Sequence, residues 1–200
     1  MPTPFRNGLG WTLFLDRDGV LNQRPAEGYV CSPEAFRWIP GSLEALRVLS
    51  AVFSRVVVVT NQQGIGKGIM DASALEAVHR KMLMDVRKAG GRIDRIYHAP
   101  GLKGREFYMR KPGVGMALAA RRDLPGIRFR QAVMVGDMPT DMVFGRRLNM
   151  FNILISDDPA LARDLHTLID FRFDKLAAFA ASLRQEADKR RAGQASGQDA

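Results

Sequence analysis

The sequence predicts an α/β fold, a three-layer sandwich of helices around a mainly parallel, Rossmann-like sheet. Three observations carry this expectation. Short apolar, β-branched runs recur along the chain without polar alternation, as expected of strands buried on both faces. Segments with three- and four-residue apolar spacing separate them. Alternation of the two implies right-handed crossovers between parallel strands.

The elements follow in order. Trp11-Thr12-Leu13-Phe14-Leu15 is the first strand, and residues 42–52 the first helix, with Leu43, Leu46 and Leu49 on one face. Residues 55–59 form the second strand. Residues 72–89 place Leu75, Val78, Met82 and Val86 at helical spacing and stop at Gly90-Gly91, a helix-ending pair. Residues 92–97 make a weaker strand on Ile93 and Ile96. A helix over 113–122, a strand over 132–135, a helix over 139–148, a strand over 151–155 and a helix over 174–187 complete the chain.

Two hundred residues suit one folded domain, here 1–183, followed over 184–200 by the end of a helix and a disordered tail. From Ala192 the tail has no apolar anchor. With 46% apolar and 26% charged residues, collagen-like, fibrous and wholly disordered classes are excluded. No apolar run reaches the roughly 18 residues that span a bilayer. The N-terminus lacks the basic–apolar–small pattern of a secretory leader, so no membrane association is expected. The one cysteine, Cys31, cannot form an internal disulfide, which suits a reducing cytoplasm. Thirty Lys and Arg against 21 Asp and Glu give +9, a charge that draws anions.

In such folds ligands sit beyond the carboxyl ends of the strands. Asp16-Arg17-Asp18-Gly19 follows the first strand, Thr60-Asn61-Gln62-Gln63-Gly64 the second, and Gly136-Asp137-Met138-Pro139-Thr140-Asp141 the strand over 132–135. Arg110-Lys111-Pro112 precedes the helix at 113. Each piece alone is commonplace: Asp137 could merely cap a helix, and Lys111 could be a surface lysine. Together they bring carboxylates, a hydroxyl and a cation to one sheet edge. Phosphoryl transfer through an aspartyl intermediate uses that set. One carboxylate attacks phosphorus, a second two residues on handles the leaving-group proton, and a third binds Mg²⁺. The metal and a lysine offset charge on the phosphoryl oxygens.

These residues resemble the four motifs of the haloacid dehalogenase (HAD) superfamily of phosphatases, at Asp16/Asp18, Thr60, Lys111 and Asp137/Asp141. Residues 14–22, Gly28-Tyr29-Val30, Pro40-Gly41, residues 59–64 and Arg110-Lys111-Pro112 resemble the D-glycero-D-manno-heptose 1,7-bisphosphate phosphatases, relatives of the histidinol-phosphate phosphatases. The likeness runs from about Trp11 to Leu183. It implies a HAD-like fold with Asp16 as nucleophile and Asp18 as acid/base. It implies phosphate ligation by Thr60 and Lys111, and Mg²⁺ on Asp16, the Asp18 carbonyl oxygen and Asp137. Asn61, Arg110 and Lys67 match substrate-contacting positions, Lys67 standing where arginine is usual. Asp141 is expected to brace Lys111 or its loop. The intervals from Asp18 to Thr60 and from Thr60 to Lys111 are consumed by predicted elements, so no cap domain is expected. The site should be open, bordered by residues 23–33, 63–70 and 98–109.

Two departures matter. The resembled enzymes carry a zinc loop of three cysteines and a histidine before Arg-Lys-Pro. Here residues 97–109 hold His98 and no cysteine, so no structural zinc is expected. Met138 replaces the usual lysine after Asp137. His79 reads as an exposed or partly buried helix-face residue, and His98 as a loop or partly packed one. The function implied is a Mg²⁺-dependent phosphomonoesterase, monomeric and cytoplasmic, removing the 7-phosphate of a heptose bisphosphate. The alternatives are a histidinol-phosphate or other metabolite phosphatase, and a nucleic-acid 3′-phosphatase. The last is weakened because no basic-plus-aromatic stripe accompanies the charge.

Overall fold

The computed structural model describes residues 10–25, 27–105 and 107–195. The expectations placed on residues 1–9 and 196–200 lie outside them. Among the described residues there are six strands: β1 (Thr12–Leu15), β2 (Arg55–Asn61), β3 (Arg95–Ala99), β4 (Ala132–Gly136), β5 (Phe151–Ile155) and β6 (Phe171–Phe173). The helices are α1 (Ser42–Val52), α2 (Ala72–Lys88), α3 (Gly115–Asp123), α4 (Pro139–Arg147), α5 (Pro159–Asp164) and α6 (Leu176–Ala195). All pairings are parallel, in the order β3-β2-β1-β4-β5-β6.

Both faces of the sheet are covered, which explains the unalternated strand sequences. On one face Leu13, Leu15, Val56, Val58, Val133 and Val135 pack with α1, α2 and α6 through Leu46, Leu49, Val78, Met82 and Phe179. On the other, Phe14, Val57, Val59 and Met134 meet Met116, Ala117 and Ala120 of α3 and Phe144 of α4. Phe14 lies in register with Val57 on one side and Met134 on the other. It thereby ties the three central strands to the second layer.

The described residues of 16–41 form a loop with a short 3-10 turn at Pro33–Ala35, and those of 100–114 contain no regular element. Among the described residues no separate cap domain covers the sheet edge, as the spacing anticipates. Three details differ from the sequence reading. The strand expected over 92–97 is instead Arg95–Ala99, so His98 stands on β3 and not in a loop. α5 and β6 were not anticipated; β6 is only three residues long, too short to show a period. α6 continues to Ala195, beyond Ala192 where the tail was expected to begin.

Phe14 is fully buried, so Phe14→Ala leaves a cavity at the middle of the sheet. It should lower unfolding free energy by about 3–5 kcal/mol in a denaturant titration. Met84→Ala, at a side chain 68% exposed, should change it by about 0.5 kcal/mol or less. Equal losses would contradict this layering.

Candidate active site

β1 and β4 are neighbours, and the chain runs outward from them in both directions, so the sheet's switch point lies between them. Asp16 and Asp137 are the first residues beyond their carboxyl ends. Two glycines make the approach possible. Gly136 packs so closely on Asp141 that an added Cβ would lie 2.3 Å from that residue's Cβ. Gly19, at φ +91°, brings its Cα against the Asp137 carboxylate; a Cβ there would lie 2.0 Å from Oδ2.

Lys111 is the centre of the cluster. Its ammonium, with the side chain 1% exposed, lies 2.9 Å from Asp16 Oδ1 and 2.6 Å from Asp141 Oδ1. Burial works against its charge, and the two carboxylates outweigh that and hold it protonated. Asn61 fixes where Lys111 starts: its side-chain oxygen accepts from Lys111 N at 2.9 Å, and its Nδ2 donates to Lys111 O at 3.1 Å. Asp141 Oδ2 accepts from Met138 N at 3.0 Å at the head of α4, so Asp141 touches both the lysine and the loop. Asp16 Oδ1 also accepts from Arg17 N at 2.7 Å. Burial raises the Asp16 carboxyl well above the usual range; Lys111 opposes this, while Asp141 and Asp137 add to it.

Asp18 sits in a second network. Burial would raise its pKa, but Arg17 and hydrogen bonds from Asn22 and Gln62 outweigh burial and hold it below the usual carboxylate value. Arg17 Nη2 and Asn22 Nδ2 both donate to Oδ1 at 2.9 Å, and Gln62 Nε2 donates to Oδ2 at 2.8 Å. Gln62 Nε2 also donates to Thr60 Oγ1 at 2.8 Å, linking the ends of β1 and β2. Arg17 is fully buried and reaches His79 Nε2 on α2 at 3.3 Å. A guanidinium only donates, so His79 Nε2 is the unprotonated nitrogen. Burial, then the charge of Arg17, then His98 push the His79 pKa down to about 3. His79 is therefore a buried, neutral part of this network, and not the helix-face residue expected.

The oxygens suit a hard divalent cation. One carboxylate oxygen each from Asp16, Asp137 and Asp141 fall within 4.8 Å of one another. Asp141 has its oxygens engaged by buried groups, Lys111 Nζ and Met138 N, whereas the partner of Asp137 is the half-exposed Arg24, which favours Asp16 and Asp137 as the ligands. The Asp18 carbonyl oxygen and both Asp137 oxygens already accept from a positive group, Arg24 Nη2, at 3.0, 3.0 and 2.9 Å. An all-oxygen set that collects positive charge fits Mg²⁺.

A cavity of about 820 Å³ opens over these groups. Asp16, Asp18, Thr60, Asn61, Lys111, Arg110 and Asp141 line it, and Asp137 borders it through Arg24. Lys67 does not line it and lies 5.6 Å over the Tyr29 ring. Residues 23–33 and 98–109 contribute to the rim as expected, while the loop over 63–70 contributes Gln63. Lys103, Phe107, Met138 and Arg147 also face the cavity. Sequence reasoning did not single out Arg17, Asn22, Arg24, Gln62 or Arg147. Arg17, Asn22 and Gln62 stand within the stretches that carry the resemblance, a signal that could mark them; Arg24 and Arg147 have none.

Comparison with known proteins gives a consistent result. A HAD-hydrolase-like family model matches residues 108–180. The D-glycero-alpha-D-manno-heptose-1,7-bisphosphate 7-phosphatase of Mycobacterium bovis is 38% identical over 137 residues, 68% of this chain and 72% of the relative. The beta-anomer enzyme of Pseudomonas aeruginosa is 35% identical over 182 residues, 86% of this chain and 97% of the relative. Among solved structures, the D,D-heptose 1,7-bisphosphate phosphatase of B. bronchiseptica, complexed with magnesium and phosphate, superposes with a TM-score of 0.76 at 30% identity. That match covers 88% of this chain and 99% of the other.

The state of His79 generates a pH prediction. Its folded pKa lies below the unfolded value of 6.5, so the unfolded chain takes up a proton that the folded chain refuses. The contribution is whole above pH 6.5 and is lost as pH falls from there toward 3. His79→Gln keeps an acceptor for Arg17 and does not titrate. Its unfolding free energy should fall less steeply over that window, by up to about 1.4 kcal/mol per pH unit. Parallel pH profiles for the two proteins would contradict the assignment.

Proposed function

The chain belongs to the HAD-like hydrolases, in the family of the heptose-1,7-bisphosphate 7-phosphatases, and from that premise we propose that it removes the 7-phosphate of a D-glycero-D-manno-heptose 1,7-bisphosphate by way of a phosphorylated Asp16. The chemistry is that of a Mg²⁺-dependent phosphomonoesterase acting on a small phosphorylated sugar. The carrying observation is the meeting of Asp16, Lys111, Asp141 and Asp137 at the carboxyl ends of β1 and β4.

Asp16 attacks phosphorus. Donation from Arg17 N and Lys111 Nζ holds its Oδ1, and among the described residues nothing donates to its Oδ2. Thr60 Oγ1 accepts from Gln62, so its own proton is free to be given to a phosphate oxygen. Lys111 offers fixed positive charge where negative charge gathers. Asp16, Asp137 and the Asp18 carbonyl oxygen would hold Mg²⁺, which would supply further positive charge to the site. Asp18 protonates the departing sugar oxygen and later takes a proton from the water that cleaves the aspartyl phosphate. At rest it is ionised under Arg17; an arriving phosphate dianion opposes that charge and favours the protonated acid. Lys103, Arg110 and Arg147 around the mouth support a substrate carrying a second anionic group. A single cysteine supports a cytoplasmic setting.

Two tests follow. EDTA should abolish turnover, Asp16→Asn should show none, and heptose bisphosphate should outpace histidinol phosphate and 3′-phosphorylated oligonucleotides in kcat/KM. Faster hydrolysis of either competitor would overturn the substrate assignment. Asp18→Asn should fall by about 10²–10⁴-fold or more on the sugar substrate, because the group serves two steps. The Gln62 amide can rotate to accept from the new Asn, so the fold should survive. With p-nitrophenyl phosphate, whose leaving group needs little protonation, the variant should release a burst of nitrophenolate before slow turnover. An equal fall on both substrates with no burst would take the acid role from Asp18.

A further inference from the structure

We propose that Arg24 is a resident cation of the metal site, which Mg²⁺ must displace in order to bind. The inference rests on the reading of Asp137 and the Asp18 carbonyl oxygen as metal ligands. One guanidinium nitrogen, Nη2, holds three oxygens at once: Asp18 O and both carboxylate oxygens of Asp137. Those atoms come from the ends of two adjacent strands, so Nη2 sits at the switch point itself. An N–H donor and a divalent ion cannot use the same facing lone pairs, and a metal drawing on Asp137 must first remove Arg24 from it.

The cation pattern shows why Arg24 is the group that can leave. Among the described residues three cations serve the carboxylates Asp16, Asp18, Asp137 and Asp141: Arg17, Lys111 and Arg24. The side chains of Arg17 and Lys111 are 1% exposed and have no route out, whereas that of Arg24 is 46% exposed. Arg24 belongs to the loop that borders the cavity beside Pro25, Gly28 and Tyr29. Released from Asp137, its charge stays at the mouth, facing the anionic substrate. Without Arg24 the closely set Asp16, Asp137 and Asp141 would keep only Lys111 between them, a repulsion that burial makes costly. Arg24 thus stabilises the metal-free chain and weakens its affinity for metal.

The test is calorimetric titration of metal-free protein with MgCl₂ in the absence of substrate, so the readout is binding and not turnover. Arg24→Ala should bind Mg²⁺ about tenfold more tightly than the natural chain, the ratio expected when one charge-assisted contact no longer competes. Its metal-free form should melt at a lower temperature and gain more from saturating Mg²⁺. Arg110→Ala removes equal charge from the same cavity without touching the three oxygens, and its Kd should stay within about twofold. Arg24→Gln serves as the second variant if the alanine protein folds poorly. Equal or weaker Mg²⁺ binding by the Arg24 variants would overturn displacement, and so would an equal tightening in Arg110→Ala. Absence of Mg²⁺ binding by the natural chain and the Arg24 variants alike would overturn the metal assignment itself, and the proposal with it.

Discussion

A lysine ammonium sealed between two carboxylates is the constraint around which this structure is arranged. Removing such a charge from water costs several kcal/mol, and only close, well-aligned partners offset that. Lys111 has them in Asp16 and Asp141, but the three residues come from the end of β1, the loop before α3 and the first turn of α4. The arrangement therefore works only if β1 and β4 are adjacent, if Gly136 lets α4 approach, and if Asn61 pins the Lys111 backbone to β2. Sheet order, a glycine and a loop clamp all follow from one buried charge.

Two carboxylates two residues apart consequently live in opposite environments. Asp16 shares its surroundings with Asp137 and Asp141, and burial with those neighbours raises its pKa. Asp18 faces Arg17, Asn22 and Gln62, which lower its own. Separation of paired titratable groups by their surroundings is how one fold divides nucleophilic from proton-transfer work. The division is built into the second network, where a neutral His79 accepts from Arg17 and so turns the guanidinium toward Asp18.

The fold class and the main site residues were legible because each lies at a fixed offset from a strand or helix end. Asp16 and Asp137 directly follow β1 and β4, Thr60 is one residue from the end of β2, and Lys111 precedes α3. The rest depends on contacts that no local pattern records. Gln62 meets Asp18 across 44 positions, His79 meets Arg17 across 62, and Arg24 meets Asp137 across 113. Asn61 was legible as a site residue, but its bracket on Lys111, 50 positions away, was not. Lys67 fits a motif position, yet its loop turns it onto Tyr29 and away from the cavity.

Trapping a covalently phosphorylated Asp16 is the most direct test of the chemistry proposed for this site. Enzyme mixed with Mg²⁺ and heptose bisphosphate labelled in the 7-phosphate is quenched in acid within one turnover, then digested and mapped by mass spectrometry. Label is expected on the peptide containing Asp16, at that residue, and should disappear when unlabelled substrate is added before the quench. Label on another residue, or substrate turned over with no protein-bound phosphate at any quench time, would contradict that chemistry.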